Sequence, residues 1–451
     1  MSDFRDIFLG VLPKRLFQRG LIALALLMTF KTFQFFPGML YVQEMWFVLC
    51  FLALVVVYPV WKISKGLRFS SLEVYILTLI VVDVLLPAWG ARREFGQPMA
   101  FGVLASRGAT LMVSSLLLVN ALRYRLVRLA DIQGALLLCA WGTSVLYATM
   151  KLTLHPANFS SYGVGFVVGE GAEDSFNLNP LFILYATIYY VLLGLRTRSR
   201  KYYVLAAILF AGTVVPVVER SATISIAATL LFFLYRWRPF GQFLLTLGKV
   251  CCAAAIVLGL AYAANPAYLS IQSARFSDAF TVAFTGSEVD DPSAGARLFE
   301  IVTAMPYIQK HPLLGNGNIS HQWGGGTEGV MSQYFYAGDI GVLGAIFTVG
   351  VLGTLVFAYQ FRFALRAARS FPDGMHSPLS DAAAGFLLYC AVTSVTTAFF
   401  VSNPEVILFF VAILVGLASE GISERRRSIQ RAPAIHAPSL DPGHSSSSWA
   451  V

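Results

Sequence analysis

Residues 340–358 read IGVLGAIFTVGVLGTLVFA, without one charged side chain, and the residues just before them, QYFYAGD (333–339), end in the acid Asp339. A bilayer core about 30 Å thick takes about 20 residues of helix per crossing, so this run predicts a membrane span entered from a polar loop. Eleven further apolar runs lie near residues 20–36, 44–61, 72–89, 98–120, 133–153, 180–195, 202–218, 221–235, 246–264, 383–401 and 405–420. Of the 451 residues 57% are hydrophobic and 13% charged, and the mean hydropathy is +0.68. A soluble domain carries about 25% charged side chains. The composition excludes a soluble enzyme with a single anchor, and 14% aromatic residues exclude a disordered chain. It predicts an all-α, polytopic integral membrane protein of about 12 transmembrane helices.

The net charge of +9 does not by itself imply nucleic acid, because its placement matters more than its sum. Of the 33 Lys and Arg, 24 fall on one set of alternate connections: 1–19, 62–70, 121–130, 195–201, 236–249, 359–382 and the tail after 421. Arg92, Arg93, Arg220, Arg275, Arg297 and Lys310 fall on the other set, while Lys31, Arg107 and Lys151 lie inside runs. The positive-inside rule makes the rich side cytoplasmic and puts both termini there. Arg5, Lys14, Arg15 and Arg19 precede a first run with no small-x-small site, so it is read as an uncleaved span. Each of the five cysteines falls in a predicted span, which argues against a disulfide framework, and no CxxC or Cys/His cluster suggests a metal.

The expected organisation is a membrane segment, 1–264, with nine spans and an outer loop at 154–179; a large outer loop, 265–339; three last spans, 340–421; and a disordered, cytoplasmic tail, 422–451. Loops longer than about 15 residues usually have a function. Inside the larger one, GARLFEIVTAMPYIQK (295–310) places Leu298, Ile301, Val302, Met305 and Ile308 at helical spacing. That predicts an amphipathic helix lying on the membrane surface or over a cavity. SEVDDPSA (287–294) suits its start and His311-Pro312 its end.

Charged groups at membrane depth are functional candidates, with structural pairing as the alternative. Arg220, in Glu219-Arg-Ser-Ala-Thr, stands between two apolar runs on the side poor in positive residues; Arg297 opens the loop helix, and Arg275 precedes it. A guanidinium fork matches two phosphate oxygens and stays charged, so arginines above the outer leaflet suit a pyrophosphate-bearing lipid; a salt bridge or headgroup contact is the plainer reading. His321 in SHQWGGG is a candidate base, and Glu328 and Asp339 could assist, against capping or a solvated face. Trp323, Tyr334, Phe335 and Tyr336 could stack on sugars or form an interfacial belt. Asp83, Arg92, Arg93 and Arg107 are expected to pair with one another.

The order of the pieces resembles the bacterial O-antigen ligase and polymerase superfamily. A span opens with an arginine (ERSATISIAATLLFFLY, 219–235), another span follows, then RLFEIVTAMPYIQKHPLLGNG (297–317) in a long loop, then QYFYAGDIGVLGAIFTVGVLGTL (333–355). The family's arginine, helix and Pro-x-x-Gly-x-Gly match Arg297 and Pro312-Leu-Leu-Gly315-Asn-Gly317; its re-entry Gly-x-x-Gly matches Gly341-Val-Leu-Gly344. The resemblance covers residues 200–360 and implies a metal-independent, cofactor-free membrane glycosyltransferase of the C type. Such an enzyme takes a glycan on undecaprenyl pyrophosphate as donor and works at the periplasmic face of the inner membrane. Arg220, Arg297 and His321 become expected catalytic residues, with Arg275, Glu219, Glu328, Tyr334 and Asp339 around the substrate. Ligases of the family carry a His-Asn pair before the re-entering span, where this chain has Val330-Met-Ser-Gln-Tyr334. That departure favours a polymerase joining lipid-linked repeat units. The alternatives are a ligase acting on lipid A core or protein, and a lipid-linked oligosaccharide transporter. Expected partners are the glycan donor and acceptor, membrane lipids, a chain-length regulator and a flippase, with no nucleic acid. Transporters usually show paired halves, and the large loop has no counterpart in the first half.

Overall fold

The computed structural model describes residues 2–36, 38–154, 167–168, 175–176, 179–210, 220–237, 239–248, 277, 292–332, 335–371 and 377–431. Its helices are α1 (Ser2–Thr29), α2 (Met39–Ser64), α3 (Ser71–Phe95), α4 (Met99–Ala105), α5 (Arg107–Arg123), α6 (Leu129–Thr153), α7 (Leu181–Thr197), α8 (Arg200–Leu209) and α9 (Arg220–Trp237). After these come α10 (Pro292–Lys310), α11 (Gly341–Ala358), α12 (Gln360–Arg369), α13 (Pro378–Thr396) and α14 (Pro404–Arg431). Five stretches are long and apolar enough to cross a membrane, or six if α4 and α5 are taken together across their 47° bend; α7, Ala222–Trp237 and Pro404–Ser419 are shorter apolar helices. This is a multi-pass membrane protein.

Exposure separates two kinds of apolar helix. On α2, Tyr41, Met45, Val48, Leu49, Phe51, Val60 and Ile63 are all exposed, a continuous apolar surface that water would not tolerate and lipid tails cover. The first half of α14 is the opposite case, since Val406 through Leu414 are buried on every side and form the axis of the bundle. Composition cannot tell these two helices apart. Local signals set other boundaries: Ser70 with Glu73 and Ser377 with Ser380 make capping boxes that start α3 and α13, and Gly96 in the left-handed region ends α3.

Four boundaries differ from expectation. α1 stops at Thr29, and Lys31 takes a positive φ of 53° inside the run expected to continue to 36. The fourth run breaks at Ser106 into α4 and α5. The run 383–401 stays helical only to Thr396, with a short helix Phe399–Ser402 beyond it. α14 continues through ERRRSIQ to Arg431, into the tail expected to be disordered, because that segment is rich in good helix formers and meets no proline before Pro433. In the loop 154–179, Val167–Val168 and Ser175–Phe176 pair as a minimal antiparallel ladder, and buried Phe176 packs with Tyr147 and Met150.

Ion pairs fasten the end of the bundle that bears the positive connections: Arg19–Asp131 at 3.0 Å, Arg196–Asp381 at 3.0 Å and a fully buried Lys62–Glu73 pair. Glu73 also accepts from Tyr58 Oη at 3.0 Å and Asn120 Nδ2 at 2.7 Å, joining α2, α3 and α5. Removing one partner of a buried pair strands the other charge. Glu73→Ala is therefore expected to cost about 3–5 kcal/mol, read as a lower melting temperature in detergent.

Candidate active site

The segment after α10 is built into the membrane bundle. Gly350, with φ 69° and ψ 178°, breaks α11 and opens four backbone groups that a helix would have paired internally. Residues 312–317 take them up. Asn316 N–H donates to Phe347 O at 2.6 Å, Gly317 N–H to Thr348 O at 3.0 Å, Val351 N–H to Pro312 O at 2.8 Å and Leu352 N–H to Leu313 O at 3.1 Å. On the other side the segment meets α3, where Arg93 Nη2 donates to Gly315 O at 2.6 Å, and Gln97 accepts from Ser320 N–H at 2.8 Å and donates to Asn318 O at 3.2 Å. Irregular backbone inside a membrane protein persists only when so satisfied. The Pro-x-x-Gly-x-Gly motif is thus a wedge between α3 and the broken α11.

The Gly-x-x-Gly step at the head of α11 has a related cause. A Cβ at Gly341, whose φ is +58°, would overlap Val395 O, and one at Gly344 would overlap Ala337 O. Their absence lets the end of α13 and the 3-10 turn Ala337–Ile340 close in, with Ala398 N–H donating to Gly338 O at 2.8 Å.

Helix α10 lies over this junction. Its packed side carries Glu300, Ala304 and Tyr307, with Ile301 and Ile308, against Phe335, Ile340 and Phe347. Of the apolar face expected from spacing, Ile301 and Ile308 pack here and Leu298 and Met305 are half-buried, while Val302 is 64% exposed. Lys310 Nζ and His311 Nε2 reach Glu94 on α3 at 2.8 and 2.9 Å and pin the end of the helix.

Glu300 is 4% exposed. Its Oε1 accepts Tyr336 N–H at 3.1 Å, and its Oε2 has no hydrogen-bond partner among the described residues. Burial pushes its carboxyl up to about 7, and the nearby Asp339 charge adds to this, against the Tyr336 N–H and the Arg297 guanidinium. Arg297 stands one turn earlier, half-buried, with no hydrogen bond or ion pair among the described residues. Below lies a second cluster. Tyr336 lies within electrostatic reach of Asp339 and Lys31. Lys31 Nζ sits 2.9 Å from Oε1 of Glu405, which opens the central helix α14 and is 1% exposed, and Asp83 on α3 lies within electrostatic reach of both. A polar band thus leads from the loop helix to the bundle axis.

Of the residues expected from sequence, the structure brings Arg297 and Asp339 together around Glu300. His321 and Glu328 are exposed on the loop and make no side-chain hydrogen bond or ion pair among the described residues; the His321 ring packs over Gly326, whose φ is +71°. Glu219, Arg275 and Tyr334 lie outside the described residues, as does the side chain of Arg220. Phe233 of α9 and Leu192 of α7 both approach Gly385 of α13, so α7 and α9 pack against α13; Arg220 opens α9. The expected mutual pairing is not found: Arg107 binds Glu44 through Nε and Nη2 at 2.5–3.0 Å, Arg93 holds the wedge, Arg92 is exposed, and Asp83 faces Lys31 and Glu405.

Lys31, Asp83, Glu300 and Glu405 were not among the expected site residues. Glu300 had a readable signal: an acid one turn after Arg297, amid the apolar positions of the same helix. Lys31 and Glu405 come together only because α1 ends early, which no spacing announces. Among the described residues no group of three or more His, Cys, Asp or Glu could hold a metal ion.

A family profile described as O-Antigen ligase matches residues 205–358, a stretch that takes in Arg220, Arg297, the wedge and the Gly-x-x-Gly step. No curated protein matches the chain.

Proposed function

We propose that this chain, a member of the O-antigen ligase and polymerase family, is a polysaccharide polymerase that moves a glycan from undecaprenyl pyrophosphate to a sugar hydroxyl on a second lipid-linked repeat. The observation that carries this reading is Arg297, unpaired among the described residues and half-buried on a helix that the family's own motif locks over the bundle. Arg220 and Arg297 hold the diphosphate and stabilise the charge that grows on it as the glycosidic carbon is attacked, a role suited to preorganised guanidinium groups. Direct attack inverts the anomeric carbon. A diphosphate carries more than one charge, and the other described cation of the polar band, Lys31, is engaged by Glu405, so a second guanidinium beside Arg297 would hold the anion better. Arg275 is the further candidate within the loop.

In this reading the protein sits in the bacterial inner membrane with about 12 spans and both termini cytoplasmic. α10 and the wedge face the periplasm, and the reaction needs no metal. The distribution of Lys and Arg supports that orientation, as do the ion pairs Arg19–Asp131, Lys62–Glu73 and Arg196–Asp381 at the positively charged end. A chain-length regulator and a flippase would act beside it.

The family description itself favours a second reading, a ligase passing the glycan to lipid A core or to protein. The two differ only in the acceptor. Pure protein in vesicles, supplied with defined undecaprenyl-pyrophosphate repeats as the sole substrate, is expected to give a ladder of longer products. A single transfer seen only when lipid A core is added would replace the polymerase by the ligase, and flipping of a fluorescent donor without any transfer would sink both.

A further inference from the structure

The reaction must also place a proton, and the exposed loop imidazole of His321 is not the only group able to take it. Glu300 is buried, keeps one carboxylate oxygen on a backbone N–H and leaves the other without a partner among the described residues. Such an oxygen is costly to bury unless something else approaches it. Arg297 is three residues earlier on the same helix, so their Cβ atoms stand about 5–6 Å apart. A diphosphate on Arg297 would therefore lie on the side of the helix that carries Glu300.

We propose that Glu300 is the general base of the transfer, taking the proton of the acceptor hydroxyl through its unpartnered Oε2 while Arg297 holds the departing diphosphate. The assignment rests on the glycosyltransferase reading above. The acceptor oxygen forms its bond to the anomeric carbon as the bond from that carbon to the diphosphate oxygen breaks. The electron pair stays on undecaprenyl pyrophosphate, and the hydroxyl proton ends on Glu300, which later releases it to water. The groups that face Glu300 are Arg297 on its own helix and Asp339 and Tyr336 from the turn below, while α11, packed against α10, carries no titratable side chain. A carboxyl at about 7 is half ionised at neutral pH and basic enough to accept a proton as the bond forms.

Glu300→Gln keeps an oxygen to accept the Tyr336 N–H, so a purely structural Glu300 predicts a nearly normal enzyme. The experiment follows chain growth by reconstituted wild type, E300Q and E300D from defined lipid-linked repeats across pH 5 to 9, alongside retention of the radiolabelled donor. In wild type, kcat/KM should rise with pH and level off above about 7; in E300Q that limb should vanish and kcat fall by roughly 10²- to 10⁴-fold with donor retention unchanged. E300D, which keeps the carboxylate on a shorter arm, should keep the limb at a reduced rate. Normal rate and pH profile in E300Q would overturn the assignment, and so would loss of donor retention together with rate, which would make Glu300 a scaffold residue. A wild type that transfers nothing would remove the underlying reading as well, whereas an active wild type with an unaffected E300Q would leave that reading intact.

Discussion

Arg297→Ala is expected to abolish chain growth while the protein still inserts, purifies and melts as wild type. Arg297 makes no hydrogen bond or ion pair among the described residues, so its removal breaks nothing that holds the fold. Its loss would remove a charge from the place where the leaving group becomes most anionic, and losing one such donor costs about 10²- to 10³-fold in turnover. Arg220→Ala should behave alike, and the double variant should be no worse than the weaker single, because a diphosphate held at one end only is not held for reaction. Arg297→Lys should recover little, since an ammonium lacks the two-pronged geometry. Arg92→Ala, at an exposed arginine on the same side, is the control and should keep full activity. Chain growth in vesicles and donor retention on the purified variants measure both arms. Full-length polymer from both R220A and R297A would remove the clamp.

The fold was legible where it depended on hydropathy alone. Among the described residues the apolar runs are helical apart from a few breaks, and the loop helix begins at Pro292 and ends at Lys310, before the His311-Pro312 expected to stop it. Which helix is central was not legible, because α2 and the first half of α14 are both apolar and only packing shows that one meets lipid and the other protein. The breaks at Lys31, Ser106 and Gly350 were also invisible: each lies inside an apolar run whose mean hydropathy hides the single residue that leaves the helix. The site suffered for the same reason. Arg297 announced itself by charge on the side poor in positive residues, whereas Glu300, one turn on among the apolar positions of the same helix, was not singled out, because only packing shows that its carboxylate is buried beside Tyr336. On α10 the spacing found Ile301 and Ile308, which pack, and also Val302, which is exposed as a residue against lipid would be, so hydrophobicity there marks two surfaces rather than one core.

Gly317→Ala and Gly350→Ala are expected to prevent assembly of the bundle. Gly317 has φ +90°, and an added Cβ would overlap Pro87 O and the Ala91 backbone of α3; Gly350 has φ +69°, and its Cβ would overlap Leu313 C and O in the wedge. None of these atoms is the tip of a movable side chain. A left-handed conformation costs a side chain about 1–2 kcal/mol. Relieving the overlap would also pull the wedge off the carbonyls of Phe347 and Thr348, each then unsatisfied at membrane depth for about 1–3 kcal/mol. Together these reach about 4 kcal/mol or more, a large share of the 5–15 kcal/mol by which proteins are usually stable. Gly142, in the middle of α6, has nothing within 4 Å of its virtual Cβ. Gly142→Ala should therefore be neutral or raise stability by up to about 1 kcal/mol through helix propensity. The measurement is the yield of monodisperse protein in detergent and its melting temperature for the three variants. Since Arg297 reaches the bundle only through α10 and the wedge that follows it, any G317A protein that does survive should also lose donor retention. A G317A variant that melts with the wild type and retains donor would show that residues 312–317 do not seat between α3 and α11.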